Sequence, residues 1–147
     1  MVKTVRGDLM EARETYIVHQ VDCYGLTWRG VSLQIKNKYP DVYRRYQEYC
    51  EDHFRKNLTG KVLLVPTDDG KVICNVFGKE RFGIGKMHTD IAALSKALTS
   101  LARIIPRNEP IAMPYMLGCE VGNMSWDMIF SIIRDIFNKH TVVLYKK

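Results

Sequence analysis

Short runs of apolar and β-branched residues alternate along this chain with longer stretches in which apolar positions recur every three or four residues, the periods of strand and helix. The runs at residues 4–6, 15–21, 61–66, 72–77, 111–115 and 141–145 read as strands. Asp68-Asp69-Gly70 is a hairpin signal between the third and fourth of them. A helix over 31–38 is stopped by Tyr39-Pro40, because a residue before proline is pushed out of the α region. Pro40 then suits the first turn of a second helix over 41–53, which carries Tyr43, Tyr46, Tyr49 and Cys50 at helical spacing. Thr89 or Asp90 can cap a third, whose stripe Ile91, Leu94, Leu98, Leu101 and Ile105 ends before Pro106. Ser125 caps the last, with Trp126, Ile129, Ile133 and Ile136 on one face. Strands followed by helices interleaved with strands predict an α/β fold, a three-layer α/β/α domain with a mixed central sheet across residues 1–147, without repeats or a linker.

Two loops stand out against this pattern. The stretch HQVDCYGLTWRGVSLQI, residues 19–35, joins a strand to a helix, and Gly25 and Gly30 within it permit positive φ and close backbone approach. The second, residues 117–124, follows the strand at 111–115 and precedes the helix at Ser125. Amides of such loops and of helix N-termini converge on anions, and in open α/β sheets ligands bind at the carboxyl ends of strands. Two such loops can hold one diphosphate from opposite sides. The tyrosines at 43, 46 and 49 follow the helical period, so rings packed in the core with hydroxyls at its rim outweigh a base-stacking platform.

Composition narrows the classes. With 147 residues and 46% hydrophobic content, the chain can bury one ordinary core. Cys23, Cys50, Cys74 and Cys119 form no CxxC pair, and the four histidines are equally scattered, so no zinc spacing exists and no metal or cofactor is expected. This cysteine usage fits a reducing, cytoplasmic location. MVKTVRGDLM has no signal-peptide core, and no apolar run approaches the roughly 20 residues that cross a bilayer, so no membrane partner is expected. The formal charge of +6 favours anionic partners, yet the basic residues form no block or stripe. Gly85-Lys86 resembles the end of a P-loop, but Glu80 stands at the first glycine position and Met87 at the Ser/Thr position, which excludes that reading.

Four segments, in order, resemble a macro domain: Gly7-Asp8-Leu9, the loop from His19 to Val31, Asn75-Val76-Phe77-Gly78-Lys79, and Pro114-Tyr115-Met116-Leu117-Gly118-Cys119 through Trp126. The resemblance covers nearly the whole chain and is closest to members that remove ADP-ribose from DNA or acidic side chains, or that process ADP-ribose 1''-phosphate. It implies a crevice for ADP-ribose. Asp8, with Leu9 beside it, would accept a hydrogen bond from the adenine amine, and Tyr145 would stack on the base. Gly118, Cys119, Glu120, Val121, Gly122, Asn123 and Met124 would offer backbone amides to the diphosphate, with Gly30 and Val31 opposite. Lys79 falls where this branch keeps a catalytic lysine, able to attack the anomeric carbon or to neutralise charge on the leaving oxygen. Asp22 replaces a frequent asparagine beside the distal ribose, where it could hold a hydroxyl or activate water. His19 reads as a satisfied core histidine.

The chain departs from the family at several places. Glu120 puts a carboxylate in the phosphate loop, Gly122 stands where adduct-resolving members keep an aspartate, and Trp28 and Arg29 replace small residues. Three functions stay open at this level: a hydrolase releasing ADP-ribose from a phosphate, nucleic acid or protein; a non-catalytic reader of ADP-ribose; and a nucleic-acid-binding module.

Overall fold

In the computed structural model, which describes residues 1–26, 29–80, 89–119 and 124–147, the apolar runs fold as Val2–Arg6 (β1), Tyr16–Val21 (β2), Val62–Pro66 (β3), Val72–Phe77 (β4), Ile111–Pro114 (β5) and Val142–Lys146 (β6). The periodic stretches become Gly30–Lys38 (α1), Pro40–Asp52 (α2), Ile91–Ile104 (α3) and Trp126–Ile136 (α4). The order across the sheet is β1-β6-β5-β2-β4-β3. Every neighbouring pair is parallel except the β3–β4 hairpin, which makes the sheet mixed. Element ends shift by a residue or two from the expected bounds, and two short 3₁₀ turns, Leu9–Glu11 and Arg55–Leu58, add to them.

Side-chain alternation builds the layers. Along β2, Ile17 packs in one core with Ile35 of α1 and Val42 of α2, and Val21 packs in another with Tyr46 and Cys50 of α2. Val18 points the opposite way, into a core with Leu94 and Leu98 of α3 and Ile129 and Ile133 of α4. Helices therefore cover both faces, which is why the central strands read as near-continuous apolar runs. Each fully buried leucine of the α3 stripe contributes about 1.5–3 kcal/mol of burial free energy.

Local chemistry fixes the helix starts. Asp90 accepts the amide of Ala93 at 3.1 Å and Ser125 that of Met128 at 3.4 Å, so α3 and α4 are capped by their own side chains. At α1 the cap position is Arg29, which makes no side-chain cap, and Gly30 enters the helix at φ 52°.

Candidate active site

Parallel strands that share a sheet end on a common edge, and four segments expected at the site lie there. Asp22 follows β2, Lys79 follows β4, Gly118 follows β5, and Asp8 follows β1 beside Tyr145 of β6. Along that edge the strand order sets their sequence: Asp8 and Tyr145, then Gly118, then Asp22, then Lys79.

Asp22 is fully buried, and its Oδ1 accepts three hydrogen bonds: from the amides of Tyr24 at 2.9 Å and Leu26 at 3.1 Å, and from the Tyr46 hydroxyl at 2.7 Å. The same hydroxyl lies 2.8 Å from the Asp22 carbonyl. One carboxylate oxygen thus helps to hold the first glycine loop in shape. Helix α2 supports the loop further, since the Tyr43 hydroxyl and Gln47 Nε2 both donate to the Gly25 carbonyl, at 3.2 and 3.3 Å. Gly25 itself turns at φ 73°.

Lys79 is only 4% exposed, although a lysine in a loop is ordinarily solvated. Its main chain is clamped from two sides. The Cys23 thiol lies 3.5 Å from the Lys79 carbonyl, and the Cys23 amide donates to the Glu80 carbonyl at 3.0 Å. On the other side, the Asp90 amide donates to the Gly78 carbonyl at 2.7 Å. These bonds join the Lys79 segment to the Asp22 loop and to the start of α3. Burial pushes the Cys23 thiol up to about 11, so it is protonated at neutral pH and is no nucleophile.

A buried polar bridge reaches the second glycine loop. Gln20 Nε2 donates to the Thr89 hydroxyl at 2.9 Å, which donates to the Gly118 carbonyl at 2.7 Å. Gly118 turns at φ 80°, and Met116 before it adopts φ 69°, a left-handed conformation that costs a non-glycine residue about 1–2 kcal/mol. A Cβ at Gly78 would stand 2.2 Å from Gln20 Oε1, so it would force the bridging Gln20 side chain to shift. Cys119 is buried in the α3–α4 core, and Met124 packs against that core from its margin.

At the other end, Asp8 Oδ1 accepts the Met10 amide at 2.9 Å and so caps the first 3₁₀ turn. Its second oxygen has no hydrogen-bond partner among the described residues. Leu9 is buried against Ala12 and Ile17, so only its main chain can meet a ligand. The Tyr145 ring passes close to Gly7, where a Cβ would lie 3.7 Å from Cδ2, and its hydroxyl donates to Glu14 Oε1 at 2.6 Å. Val31 packs at the margin of the Leu9 core, beside exposed Gly30. Glu120, Val121, Gly122 and Asn123, with Trp28, lie outside the described residues.

His19 is the core histidine expected. Asn75 Nδ2 donates to the Leu63 carbonyl at 2.9 Å, which turns Asn75 Oδ1 toward His19 Nε2 at 2.6 Å. The ring is therefore protonated at Nε2, and Nδ1 accepts from the Ser32 hydroxyl at 2.9 Å. Burial lowers its pKa to about 4.

Sequence reading missed the supports rather than the edge. Tyr43, Tyr46 and Gln47 repeat at the spacing of one helix face, which is the available signal, but nothing local says that the face meets the Asp22 loop. A cleft of about 360 Å³ lies between the α1–α2 junction and the β3–β4 turn, lined by residues such as Tyr39, Arg45 and Asp68, and holds none of the expected site residues.

A mostly parallel α/β/α sandwich with glycine-bearing segments after adjoining strands belongs to the class of open α/β folds whose ligand crevice lies outside the carboxyl ends of the strands. The Macro domain model matches residues 18–133, and the chain belongs to that family. It is 29% identical over 133 residues to a DNA ADP-ribosyl glycohydrolase of Mycobacterium tuberculosis, a match that covers 86% of this chain and 36% of that protein. The chain thus spans about a third of that relative's length. An ADP-ribose 1''-phosphate phosphatase of Saccharomyces cerevisiae is 29% identical over 77 residues, covering 50% of this chain and 43% of the other. Among solved structures, the macrodomain of Mycobacterium tuberculosis DarG superposes with a TM-score of 0.84 at 27% identity, covering 100% of this chain and 98% of the other.

Proposed function

We propose that the chain binds ADP-ribose along the carboxyl edge of its sheet and hydrolyses the bond between the anomeric carbon of the distal ribose and an attached group. The observation that carries this is Lys79, buried at 4% exposure and clamped through Cys23 to the loop of Asp22. A buried amine costs free energy unless it is paired, and the strand order puts Lys79 at one end of the edge, farthest from Asp8. Adenine lies between Asp8 Oδ2 and Tyr145. The diphosphate lies between the loop after β5, where the Cys119 amide is already engaged by the Met116 carbonyl at 2.9 Å, and the start of α1 at Gly30 and Val31. The distal ribose reaches Asp22 and Lys79.

Hydrolysis breaks the bond from the anomeric carbon to the leaving group, water supplies the new bond, and the leaving oxygen takes a proton. Lys79 stabilises the charge that builds on that oxygen. Asp22 holds a ribose hydroxyl through Oδ2, its other oxygen being engaged in the loop. The relatives' names support release of ADP-ribose from nucleic acid or from the 1''-phosphate. Four free, buried cysteines support a cytoplasmic location. Among the described residues no helix is long and apolar enough to cross a membrane.

The test is incubation with ADP-ribose 1''-phosphate, ADP-ribosylated DNA and ADP-ribosylated protein, followed by chromatography for free ADP-ribose. Release from at least one substrate is expected. Binding of ADP-ribose without release from any would leave a reader, and an absence of binding heat would remove the crevice itself.

A further inference from the structure

The edge continues past Lys79. Because β3 runs antiparallel to β4, it starts where β4 ends, with Val62 opposite Val76, and the Arg55–Leu58 turn that precedes it lies at the same edge as the crevice. The Gly60 amide donates to the Phe77 carbonyl at 2.8 Å, which fixes that turn beside the end of β4. The chain from His53 to Lys56, with Tyr24, lines a cleft of about 350 Å³ there. Tyr24 belongs to the Asp22 loop, its amide bound to Asp22 Oδ1 at 2.9 Å. Arg55 donates to the Tyr24 carbonyl at 3.1 Å and lays its guanidinium 5.0 Å from the centre of the Tyr24 ring. The cleft is thus joined by hydrogen bonds to a residue proposed to meet the distal ribose.

Its chemistry is aromatic and cationic. Phe54 is 78% exposed and lines this cleft, which leaves its ring open to a partner. The His53 and Tyr49 rings lie tilted at 31° with centres 4.1 Å apart, and Arg55 and Lys56 add positive charge. Glu51 and Asp52 precede this stretch on α2, but no carboxylate lines the cleft among the described residues. Flat rings interleaved with cations are how proteins hold a single strand of nucleic acid, bases on the rings and phosphates on the cations. An acidic peptide would use the cations and leave Phe54 idle.

The geometry points to a docking surface for single-stranded nucleic acid at Tyr24, Phe54, Arg55 and Lys56, which takes the strand attached to the distal ribose as it leaves the crevice. This rests on the proposed placement of ADP-ribose. Phe54 stacks on a base next to the modified nucleotide, and Lys56 meets a phosphate. The surface therefore sets which carrier of ADP-ribose the domain accepts, while the crevice sets the affinity for ADP-ribose.

Fluorescence anisotropy with a short, labelled, unmodified oligodeoxythymidylate tests it at low salt, with calorimetry of ADP-ribose on the same proteins. Phe54→Ala should weaken oligonucleotide binding about tenfold, as loss of one stacked base does, and Phe54→Tyr should restore it. Lys56→Ala should lower the slope of log K against log salt by about 0.7, the value for one phosphate contact on a single strand. ADP-ribose affinity should be unchanged in all three. Equal oligonucleotide binding by wild type and Phe54→Ala overturns the proposal, as does wild type that binds no oligonucleotide, or polyglutamate that binds while the oligonucleotide does not. If wild type gives no heat with ADP-ribose, the crevice reading has failed first, and the anisotropy result identifies that failure as separate.

Discussion

Removing one oxygen atom from Tyr46 should loosen the first glycine loop without disturbing the core around it. Tyr46 is 1% exposed, and its ring sits 5.8 Å from that of Tyr43 and 6.1 Å from that of Phe77, contacts that phenylalanine keeps. What Tyr46→Phe loses is the hydroxyl that donates to Asp22 Oδ1 at 2.7 Å and lies 2.8 Å from the Asp22 carbonyl. A hydrogen bond to a buried carboxylate contributes about 1.5–3 kcal/mol. For a chain of 147 residues the unfolding entropy is about 0.3 kcal/mol per kelvin, so Tm should fall by roughly 5–10 °C. Asp22 keeps its amide donors from Tyr24 and Leu26, so the fold should survive and the loss should concentrate at the loop. Thermal unfolding by circular dichroism gives the first number, and calorimetric titration with ADP-ribose should show weaker binding. A Tm within about 1 °C of wild type with unchanged affinity would mean that α2 does not hold the loop through this bond, and the account of Asp22 would fall with it.

Asp8→Ala should weaken ADP-ribose binding by about 1.5–3 kcal/mol through the lost bond to the adenine amine, measured by calorimetry; normal binding by the folded variant would refute the assignment. His19, held near 4 by burial against 6.5 when unfolded, should make stability depend on acid. The unfolded chain takes up this proton as pH falls from 6.5 while the folded chain does not, so the stability is complete above pH 6.5 and is lost as pH falls toward 4. The loss should be on the order of 3 kcal/mol by urea unfolding, and His19→Gln should flatten that part of the profile. An unchanged profile in the variant would place the proton uptake elsewhere.

The strands, the four helices and the hairpin were legible because each carries its own period or turn residue. Asp68-Asp69-Gly70 announces the β3–β4 pairing, and the stripe from Ile91 to Leu101 announces a buried helix face. The strand order was not legible, since a parallel crossover leaves no local mark. That order is what turns scattered motifs into a line along one edge. Lys79 was visible only through resemblance, and the Cys23 and Asp90 amides that hold its segment come from distant parts of the chain. Tyr46 was read as core, which its ring is; its hydroxyl works on Asp22, 24 positions earlier in the chain. Of the two expected caps of α3, Thr89 or Asp90, it is Asp90 that caps, while Thr89 bridges Gln20 to Gly118.

Lys79→Ala separates chemistry carried by the buried lysine at the distal end of the ADP-ribose crevice from binding alone. Release of ADP-ribose should be measured in single turnover on the substrate that wild type cleaves, beside calorimetric binding of ADP-ribose. If Lys79 acts on charge that develops only in the transition state, ADP-ribose affinity should stay near wild type while the rate falls about 10²-fold or more. Equal rates of release from wild type and Lys79→Ala would contradict the account.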